Sequence, residues 1–295
     1  MQMYREKHIA GFCHPYIGQE AVLVGAKHAM DPRDTCITSY RCHAHMLAFG
    51  STPREVMAEL TGRKTGCSKG KGGSMHMFNP SRGFYGGHGI VGAYVSLGTG
   101  LALTHKYNQT GGIAVTFMGD GATNQGQTFE SFNMAALWEL PVVYIIENNG
   151  YAIGTSSSRA CAGGPLYKRG EPFGIPGVLA DGMDPFDIIE KAKWAFEHVR
   201  SGKGPAIIEA ATYRYKGHSV SDPANYRSKD EVDSMKQRDP LIKIESWLIE
   251  RNEFSEEKRT AIHADVAREV KDAMEFALSS PEPDPDELFT DVTKN

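Results

Sequence analysis

Polar residues follow two short apolar runs at positions where they could bind a charged ligand together. Asp120 directly follows the run 113–119, and Asn149 follows the run 142–146 after two further residues. Such runs are typical of buried parallel strands, and ligands of open parallel sheets bind at the carboxyl ends of the strands. If the two strands are neighbours, a carboxylate and an amide oxygen lie side by side. Hard oxygen ligands of this kind suit Mg²⁺ that holds a diphosphate.

The glycines beside Asp120 strengthen this interpretation. They let the backbone approach an anion closely, and the free N–H groups of a following helix would face it. Taken singly, Gly-Asp-Gly is more typical of a tight turn and Asn-Asn of a loop. Found together at equivalent strand ends, 28 residues apart from Gly121 to Asn149, they favour a ligand site. A dinucleotide-binding fold is the competing interpretation, but no G-x-G-x-x-G follows a strand and the acidic residue stands where that fold needs glycine.

The surrounding elements predict an α/β fold. A third apolar run covers Ala206–Ala211, and helical patterns cover residues 127–139 and Pro185–Arg200 between the runs. The order strand, helix, strand, helix, strand predicts a doubly wound parallel sheet with helices on both faces. We expect one domain over residues 1–295.

Three further stretches carry expectations of their own. Residues 60–100 are rich in glycine and lack periodicity, which predicts a long functional loop. Glycines 98 and 100 then open a predicted helix over 101–107. Ser255 can cap a helix that runs to about Leu278, before an acidic, proline-containing tail at 280–287. The apolar residues of this last helix are predicted to face inward: Ile262, Val266, Val270 and Met274.

Composition excludes several classes of protein. The net charge of −4 shows no basic excess for nucleic acid or an anionic membrane surface. No apolar run approaches the ~20 residues of a membrane span. The five cysteines (Cys13, Cys36, Cys42, Cys67, Cys161) form no C-x-x-C pair and indicate reduced thiols. Cys42, His43 and His45 lack the spacing of a usual zinc site.

The Gly-Asp-Gly and Asn-Asn pair resembles the thiamine-diphosphate motif. Further segments narrow the resemblance to the alpha subunits of thiamine-diphosphate-dependent 2-oxoacid dehydrogenases, from about residue 8 to about residue 285. These segments are 11–14 (GFCH), 18–21 (GQEA), 39–41 (SYR), 70–77 (GKGGSMHM), 84–92 (FYGGHGIVG) and 213–219 (YRYKGHS). Ala44 departs from the family, which often has glycine after the histidine at 43.

The resemblance implies a binding role for each matching residue. Mg²⁺ would be held by Asp120, Asn149 and the backbone carbonyl of Tyr151. The diphosphate would be bound by the backbone N–H groups of Gly121 and Ala122. The side chains of Tyr40, Arg41 and His218 would bind it as well. Arginine suits this task because its charge is permanent and its donors form a fork.

The resemblance also implies roles beside the reacting part of thiamine diphosphate. The carbonyl of Gly89 would accept from the 4′-amino group, and Val91 would be the apolar wedge that bends the cofactor. His14 and His218 would flank the reacting carbon as hydrogen-bond donors or acids, with pKa values near the working pH.

The implied reaction is oxidative decarboxylation of pyruvate with acyl transfer to a lipoyl group. The segment KGGSMH is similar to enzymes acting on pyruvate or acetoin, and GFCH favours pyruvate. Acetoin remains the alternative substrate, and a non-catalytic scaffold or NAD-binding module the alternative function. The expected location is the bacterial cytoplasm, or the mitochondrial matrix if a leader was removed. Residues 1–8 resemble the end of a helix that begins earlier in the family.

One carboxylate is missing from the expected set. Thiamine enzymes need an acid at N1′ of the pyrimidine, and no convincing glutamate is evident in this sequence. The resemblance implies that a beta subunit provides it, within an alpha-two, beta-two tetramer that serves the lipoyl domain of an acetyltransferase core. In mitochondrial relatives serines of the loop 216–227 are phosphorylated; Ser219 and Ser221 stand here, while Asn225 replaces a second regulatory serine.

Overall fold

The centre of the computed structural model, which describes residues 1–293, is a sheet of six parallel strands. The strands are β1 Thr35–Ser39, β2 Phe84–His88, β3 Ala114–Gly119, β4 Val142–Asn148, β7 Gly177–Asp181 and β8 Ala206–Ala211. Their order across the sheet is β2-β1-β3-β4-β8-β7. A small antiparallel hairpin, β5 Tyr151–Ala152 with β6 Thr155–Ser156, follows β4.

Helices fill most of the chain between the strands. They are α1 Gln2–Arg5, α2 Glu20–Ala29, α3 His43–Ala48, α4 Pro53–Leu60, α5 Ala93–Tyr107, α6 Gly126–Leu137, α7 Ser157–Ala160, α8 Pro185–Arg200, α9 Lys229–Lys236, α10 Pro240–Glu250 and α11 Glu256–Ser279. Short 3-10 helices cover Pro80–Arg82, Asp120–Asn124, Leu166–Phe173 and Pro285–Phe289.

Both faces of the sheet are covered, as predicted. Helices α2 and α8 pack on one face, where Val115 and Phe117 of β3 point. Helices α5 and α6 pack on the other, where Ala114 and Met118 point. Successive side chains of a strand face opposite sides, so a central strand with two buried faces reads as an unbroken apolar run. The predicted α/β class and the three predicted strands are confirmed.

The register of the central pair fixes the geometry of the site. β3 and β4 are neighbours, paired from Ala114 with Val142 to Gly119 with Glu147. Both strands therefore end at the same edge of the sheet. Asp120 begins the 3-10 turn after β3, and Asn149 follows the last residue of β4.

Helix α5 begins eight residues before the predicted start at Leu101. The prediction was wrong because it treated its glycines as loop residues. Gly98 lies inside the helix, where a Cβ would stand 2.0 Å from Oγ1 of Thr116 on β3. This glycine therefore permits close packing of α5 on the sheet of its own chain. Nothing within 4 Å would meet a Cβ at Gly100.

The predicted C-terminal helix forms, but of its predicted apolar stripe only Met274 packs inward, against the cluster of Met3, Ile9 and Cys13. Ser255 caps α11, with its Oγ accepting from the backbone N–H of Lys258. Ile262, Val266 and Val270 are 54%, 52% and 44% exposed. The face that packs, mainly on α4, instead carries Ala273 and Ala277, because small side chains let two helices approach closely.

In residues 1–293 the apolar stretches of the helices are too short or too interrupted by charge to span a bilayer.

Candidate functional site

A cavity of 270 Å³ opens at the carboxyl ends of β3 and β4. Nine of the predicted site residues line it, although they come from segments spread over almost 180 positions. They are Tyr40, Arg41, Val91, Asp120, Gly121, Ala122, Asn149, Tyr151 and His218. The chain thus brings together most of the set that the resemblance implied.

Two predicted residues are not among the lining residues. His14 lies just behind the wall, with its ring centroid 4.5 Å from that of Tyr40 and 4.9 Å from that of His218. Gly89 follows β2, and a Cβ at this position would come 3.1 Å from Nε2 of His76. Gly89 is not among the residues that line the cavity formed by this chain.

Asp120 is a buried carboxylate with an unused oxygen. The residue is 2% exposed, and its Oδ2 has no hydrogen-bond partner. Burial raises the pKa of Asp120 to about 6, while the neighbouring charge of Arg214 acts in the opposite direction. A buried, unpaired carboxylate oxygen is costly unless a cation or donor meets it. This atom is the strongest indication of a cation site.

Asn149 presents its amide oxygen from the adjacent strand end. Its Nδ2 donates to Oε1 of Gln19 at 2.9 Å, so the other end of the amide, Oδ1, is the acceptor. Oδ1 lies 3.4 Å from the backbone nitrogen of Tyr151. The side chain is 7% exposed and lines the cavity.

The turn after Asp120 is shaped for close approach of a ligand. Gly121 and Ala122 lie in the first turn of the 3-10 helix Asp120–Asn124, where backbone N–H groups have no partner within the helix. A Cβ at Gly121 would stand 2.7 Å from Cβ of Ala152 in the hairpin. Glycine is required there because the hairpin closes over the turn.

Two buried arginines give the cavity its positive charge. Arg41 donates to the carbonyl oxygens of Pro15 at 2.6 Å and His218 at 2.9 Å. Burial lowers the pKa of Arg41 to about 10, which leaves it charged at neutral pH. Arg214 donates to Nδ1 of His218 at 3.1 Å and to the carbonyl of Ile153 at 3.0 Å. Its Nε is buried without a partner.

These contacts assign opposite tautomers to the two histidines. Nδ1 of His14 is 2.9 Å from the carbonyl oxygen of His218, which can only accept, so this nitrogen carries the proton. Nδ1 of His218 faces a nitrogen of Arg214, which can only donate, so here the proton sits on Nε2. His14 thus keeps a free acceptor at Nε2, and His218 a free donor at Nε2.

The pKa values of both histidines differ from the expectation. Burial lowers the pKa of His14 to about 4 and that of His218 to about 3, and the nearby arginines act in the same direction. The expected values near the working pH are therefore wrong for the chain by itself. Both rings are neutral at pH 7, so His218 can donate a hydrogen bond into the cavity from Nε2–H, whereas the N–H of His14 is already engaged by the carbonyl of His218.

A glycine-rich loop supports His14 from behind. Ser74 Oγ accepts from the backbone N–H of His14 at 3.2 Å and from Nε2 of His43 at 2.8 Å. The loop before Ser74 wraps around buried Glu59, whose carboxylate accepts four backbone N–H groups at 2.7–3.0 Å. This carboxylate replaces the secondary structure that the loop lacks.

Three residues of the site were given no role from sequence. Arg214 stands four residues before His218 in the matching segment 213–219, and this spacing was its signal. Glu147 directly follows the apolar run 142–146 and is the buried penultimate residue of β4; Tyr16 donates to it, and Gln19 does so at 3.3 Å. Gln19 carries no local signal beyond its matching segment, because its function depends on contacts across the fold.

The donor set fits a metal that is held jointly with an anionic ligand. In the part of the chain that the structure describes, no group of three or more His, Cys, Asp or Glu side chains could hold a metal alone. One carboxylate and one amide oxygen beside two arginines match Mg²⁺, which commonly takes one or two carboxylates together with phosphate oxygens and water.

The fold and the site define a parallel α/β protein with a cation-and-anion cavity at the carboxyl edge of its sheet. Residues 1–286 match the family model described as the dehydrogenase E1 component. The chain belongs to this family.

Named relatives agree with the family and cover nearly the whole chain. The pyruvate dehydrogenase E1 component subunit alpha of Rhizobium meliloti (strain 1021) is 56% identical over 99% of this chain and 84% of its own length. The protein of the same name in Zymomonas mobilis is 53% identical over 99% of this chain and 82% of its own length. The mitochondrial protein of the same name in Dictyostelium discoideum is 50% identical over 98% of this chain and 76% of its own length.

Proposed function

We propose that this chain is the alpha subunit of a thiamine-diphosphate-dependent dehydrogenase that decarboxylates pyruvate and transfers the acyl group to a lipoyl group. The observation that carries the proposal is the unpartnered Oδ2 of Asp120, buried beside the amide of Asn149. The identity to relatives named for pyruvate, 56% in the first case above, supports the substrate.

The strand-end residues would hold the charged end of the cofactor. Asp120, Asn149 and the Tyr151 carbonyl would bind Mg²⁺, and the N–H groups of Gly121 and Ala122 would bind diphosphate oxygens. Arg41 and Arg214 supply positive charge to the same cavity. Tyr40 and His218 add polar groups to its wall.

The histidines would act on the reacting end. When bound, thiamine diphosphate supplies an electron sink for decarboxylation of a 2-oxoacid. His218 Nε2–H would donate to a substrate oxygen, and the acceptor at His14 Nε2 would receive a hydrogen bond from a hydroxyl. Val91, which lines the cavity, would provide an apolar contact that keeps the cofactor bent.

A partner would complete the site. The cavity of 270 Å³ lies below the roughly 300–1,000 Å³ of sites that enclose a whole ligand. Of the described carboxylates, Asp120 and Glu147 line it, and Glu147 is already bonded by Tyr16 and Gln19. A beta subunit in an alpha-two, beta-two tetramer would add the N1′ acid, and a lipoyl domain of the acetyltransferase core would receive the acyl group.

The test is co-expression with a beta subunit, followed by decarboxylation assays with an artificial electron acceptor. We expect turnover of pyruvate well above that of acetoin at saturating thiamine diphosphate and Mg²⁺. Preference for acetoin would overturn the substrate assignment. Absence of Mg²⁺-dependent cofactor binding would favour the scaffold or NAD-binding alternative.

A second arm uses the chain purified without a beta subunit. We expect no decarboxylation, because the N1′ carboxylate is missing. Turnover by rigorously beta-free chain would mean that an internal acid serves, and Glu147→Gln would then identify it by abolishing that turnover.

A further inference from the structure

The two adjacent asparagines at the end of β4 are held in opposite directions. Nδ2 of Asn148 donates to Oε1 of Glu209 on β8 at 2.8 Å, and its Oδ1 accepts the N–H of Gly150 at 3.1 Å. Nδ2 of Asn149 donates instead to Gln19 at 2.9 Å. Of the two, only Asn149 is among the residues that line the cavity.

Gln19 is in turn held by Glu147. Its Nε2 donates to Oε1 of Glu147 at 3.3 Å, and the same oxygen accepts the hydroxyl of Tyr16. Because one end of the Gln19 amide is bound to an acceptor, only its Oε1 is left to face Asn149. Gln19, Glu147 and Tyr16 are 1%, 3% and 4% exposed, so water does not compete for these groups.

We propose that Tyr16, Glu147 and Gln19 form a relay that fixes which end of the Asn149 amide faces the cavity. This proposal rests on the proposed function, because it concerns the metal ligand assigned there. An asparagine amide has an oxygen end and an NH₂ end of nearly equal shape. Only the oxygen end can bind a cation, so a flipped Asn149 would repel Mg²⁺ rather than hold it.

The relay makes its three members positioning residues. They would not touch Mg²⁺, and they would act through the orientation of Asn149. Outer partners of this kind orient the ligands of a metal and commonly change its affinity about 10- to 100-fold when removed. The chain offers a matched control in Glu209, which accepts from Nδ2 of the neighbouring Asn148 and is not among the residues that line the cavity.

The experiment measures Mg²⁺ affinity by calorimetry, with the chain assembled with its beta subunit and with saturating thiamine diphosphate. Gln19→Met, which keeps the length of the side chain, should weaken Mg²⁺ binding about 10- to 100-fold. Glu147→Gln should weaken it less, because an amide at 147 can still accept from Gln19 in one of its two orientations. Glu209→Gln should leave the affinity close to that of the wild type.

A double-mutant cycle separates orientation from general damage. Asn149→Asp replaces the amide with a carboxylate, which presents an oxygen whichever way it turns. In that background Gln19→Met should change Mg²⁺ affinity less than about threefold, because no orientation remains to be fixed. An equal loss in both backgrounds would overturn the relay and show that Gln19 only supports the local fold.

Melting temperatures of the metal-free assemblies give a readout independent of activity. If the relay is right, the Mg²⁺ affinity of the four single variants does not follow their melting temperature. These variants are Gln19→Met, Glu147→Gln, Glu209→Gln and Asn149→Asp. Wild-type Mg²⁺ affinity in Gln19→Met would overturn the relay alone. Failure of the wild type to bind Mg²⁺ with thiamine diphosphate would overturn the proposed function, and the relay with it.

Discussion

The two halves of the candidate site are built in different ways. The strand-end half, Asp120 with Asn149, is positioned by two paired strands whose register runs from Ala114 with Val142 to Gly119 with Glu147. The loop half, comprising His14, Tyr40, Arg41 and His218, comes from three segments without regular structure at those positions.

Contacts between side chains and backbone replace regular structure in the loop half. The carbonyl oxygen of His218 accepts from Arg41 and from His14, both at 2.9 Å. The backbone N–H of Val220 donates to the carbonyl of Cys13 at 2.9 Å. Each segment is therefore positioned by the others. We expect a substitution in the strand-end half to act locally, whereas one in the loop half moves several residues at once.

The largest effect is expected from Asp120→Ala in the strand-end half. This change removes the carboxylate that faces the doubly anionic diphosphate of the proposed ligand. Mg²⁺-dependent cofactor binding should weaken by more than about 100-fold, beyond the loss typical of an outer partner. Calorimetric titration of the assembled enzyme measures it.

Asp181→Ala is the matched control for Asp120→Ala. Asp181 ends β7 at the same edge of the sheet, but it pairs with Arg238 away from the cavity. The control should bind the cofactor as the wild type does. Wild-type affinity in Asp120→Ala itself would remove the metal assignment.

The second prediction tests the loop half at Ser219. This residue is 5% exposed, and its hydroxyl forms a hydrogen bond of 2.9 Å with the hydroxyl of Ser221. A buried negative charge here would stand beside the backbone of His218 and oppose an anionic ligand. Ser219→Glu should therefore suppress pyruvate turnover far more than Ser219→Ala, in assemblies saturated with cofactor.

The alanine variant is the control for loss of the hydroxyl pair. If the glutamate variant keeps more than about half of the alanine variant's rate, charge at this position does not disturb the diphosphate. The loop half would then be more tolerant than its shared contacts indicate.

The contrast between the halves also explains what could be predicted from sequence. The strands β3, β4 and β8 were predicted because strands buried on both faces read as apolar runs. The ligand pair Asp120 and Asn149 followed from their places at the ends of two of those strands. Helix α8 was predicted with its observed bounds, because Pro185 and the apolar spacing mark it clearly.

Other features depend on contacts that no local pattern encodes. Strand β2 contains two glycines among its five residues and was read as loop, since it gains its structure by pairing with β1. The early start of α5 was missed because Gly98 serves its contact with Thr116. The positions of the loop half were available only through resemblance to a family, and Arg214 was missed even so.

A third prediction concerns the support of the loop half by Glu59. Glutamine at this position offers one oxygen and one NH₂ group to four backbone donors, so some of them lose their acceptor. An unsatisfied buried donor costs about 1–3 kcal/mol, and we expect Glu59→Gln to lower the free energy of unfolding by about 2 kcal/mol or more. Urea denaturation of the chain measures this change.

Glu55 on the same helix is the control for Glu59. Its exposed side chain accepts the backbone N–H of Thr52 in a capping box, a role that glutamine can also fill. Glu55→Gln should therefore change stability little. Equal stability of the two variants would show that the glycine-rich loop does not depend on the buried carboxylate.

The smallest effect is expected in the pH dependence of Mg²⁺ binding. It distinguishes the two halves because Asp120 of the strand-end half titrates in a pH range where the histidines of the loop half do not. Burial raises the pKa of Asp120 to about 6 in the metal-free chain. Bound Mg²⁺ requires the ionised carboxylate, so binding below this pKa must displace a proton. The affinity should be constant above the pKa and fall about tenfold for each pH unit below it.

The histidines of the loop half, with pKa values lowered to about 4 and about 3, stay neutral over the same window. Calorimetry in two buffers of different ionisation enthalpy should detect the release of nearly one proton per metal, one pH unit below the pKa of Asp120. Glu147 is a second carboxylate of the cavity near this range, since burial raises its pKa to about 7. The Glu147→Gln assembly should keep the same pH dependence, and its loss there would assign the proton to Glu147 instead of Asp120.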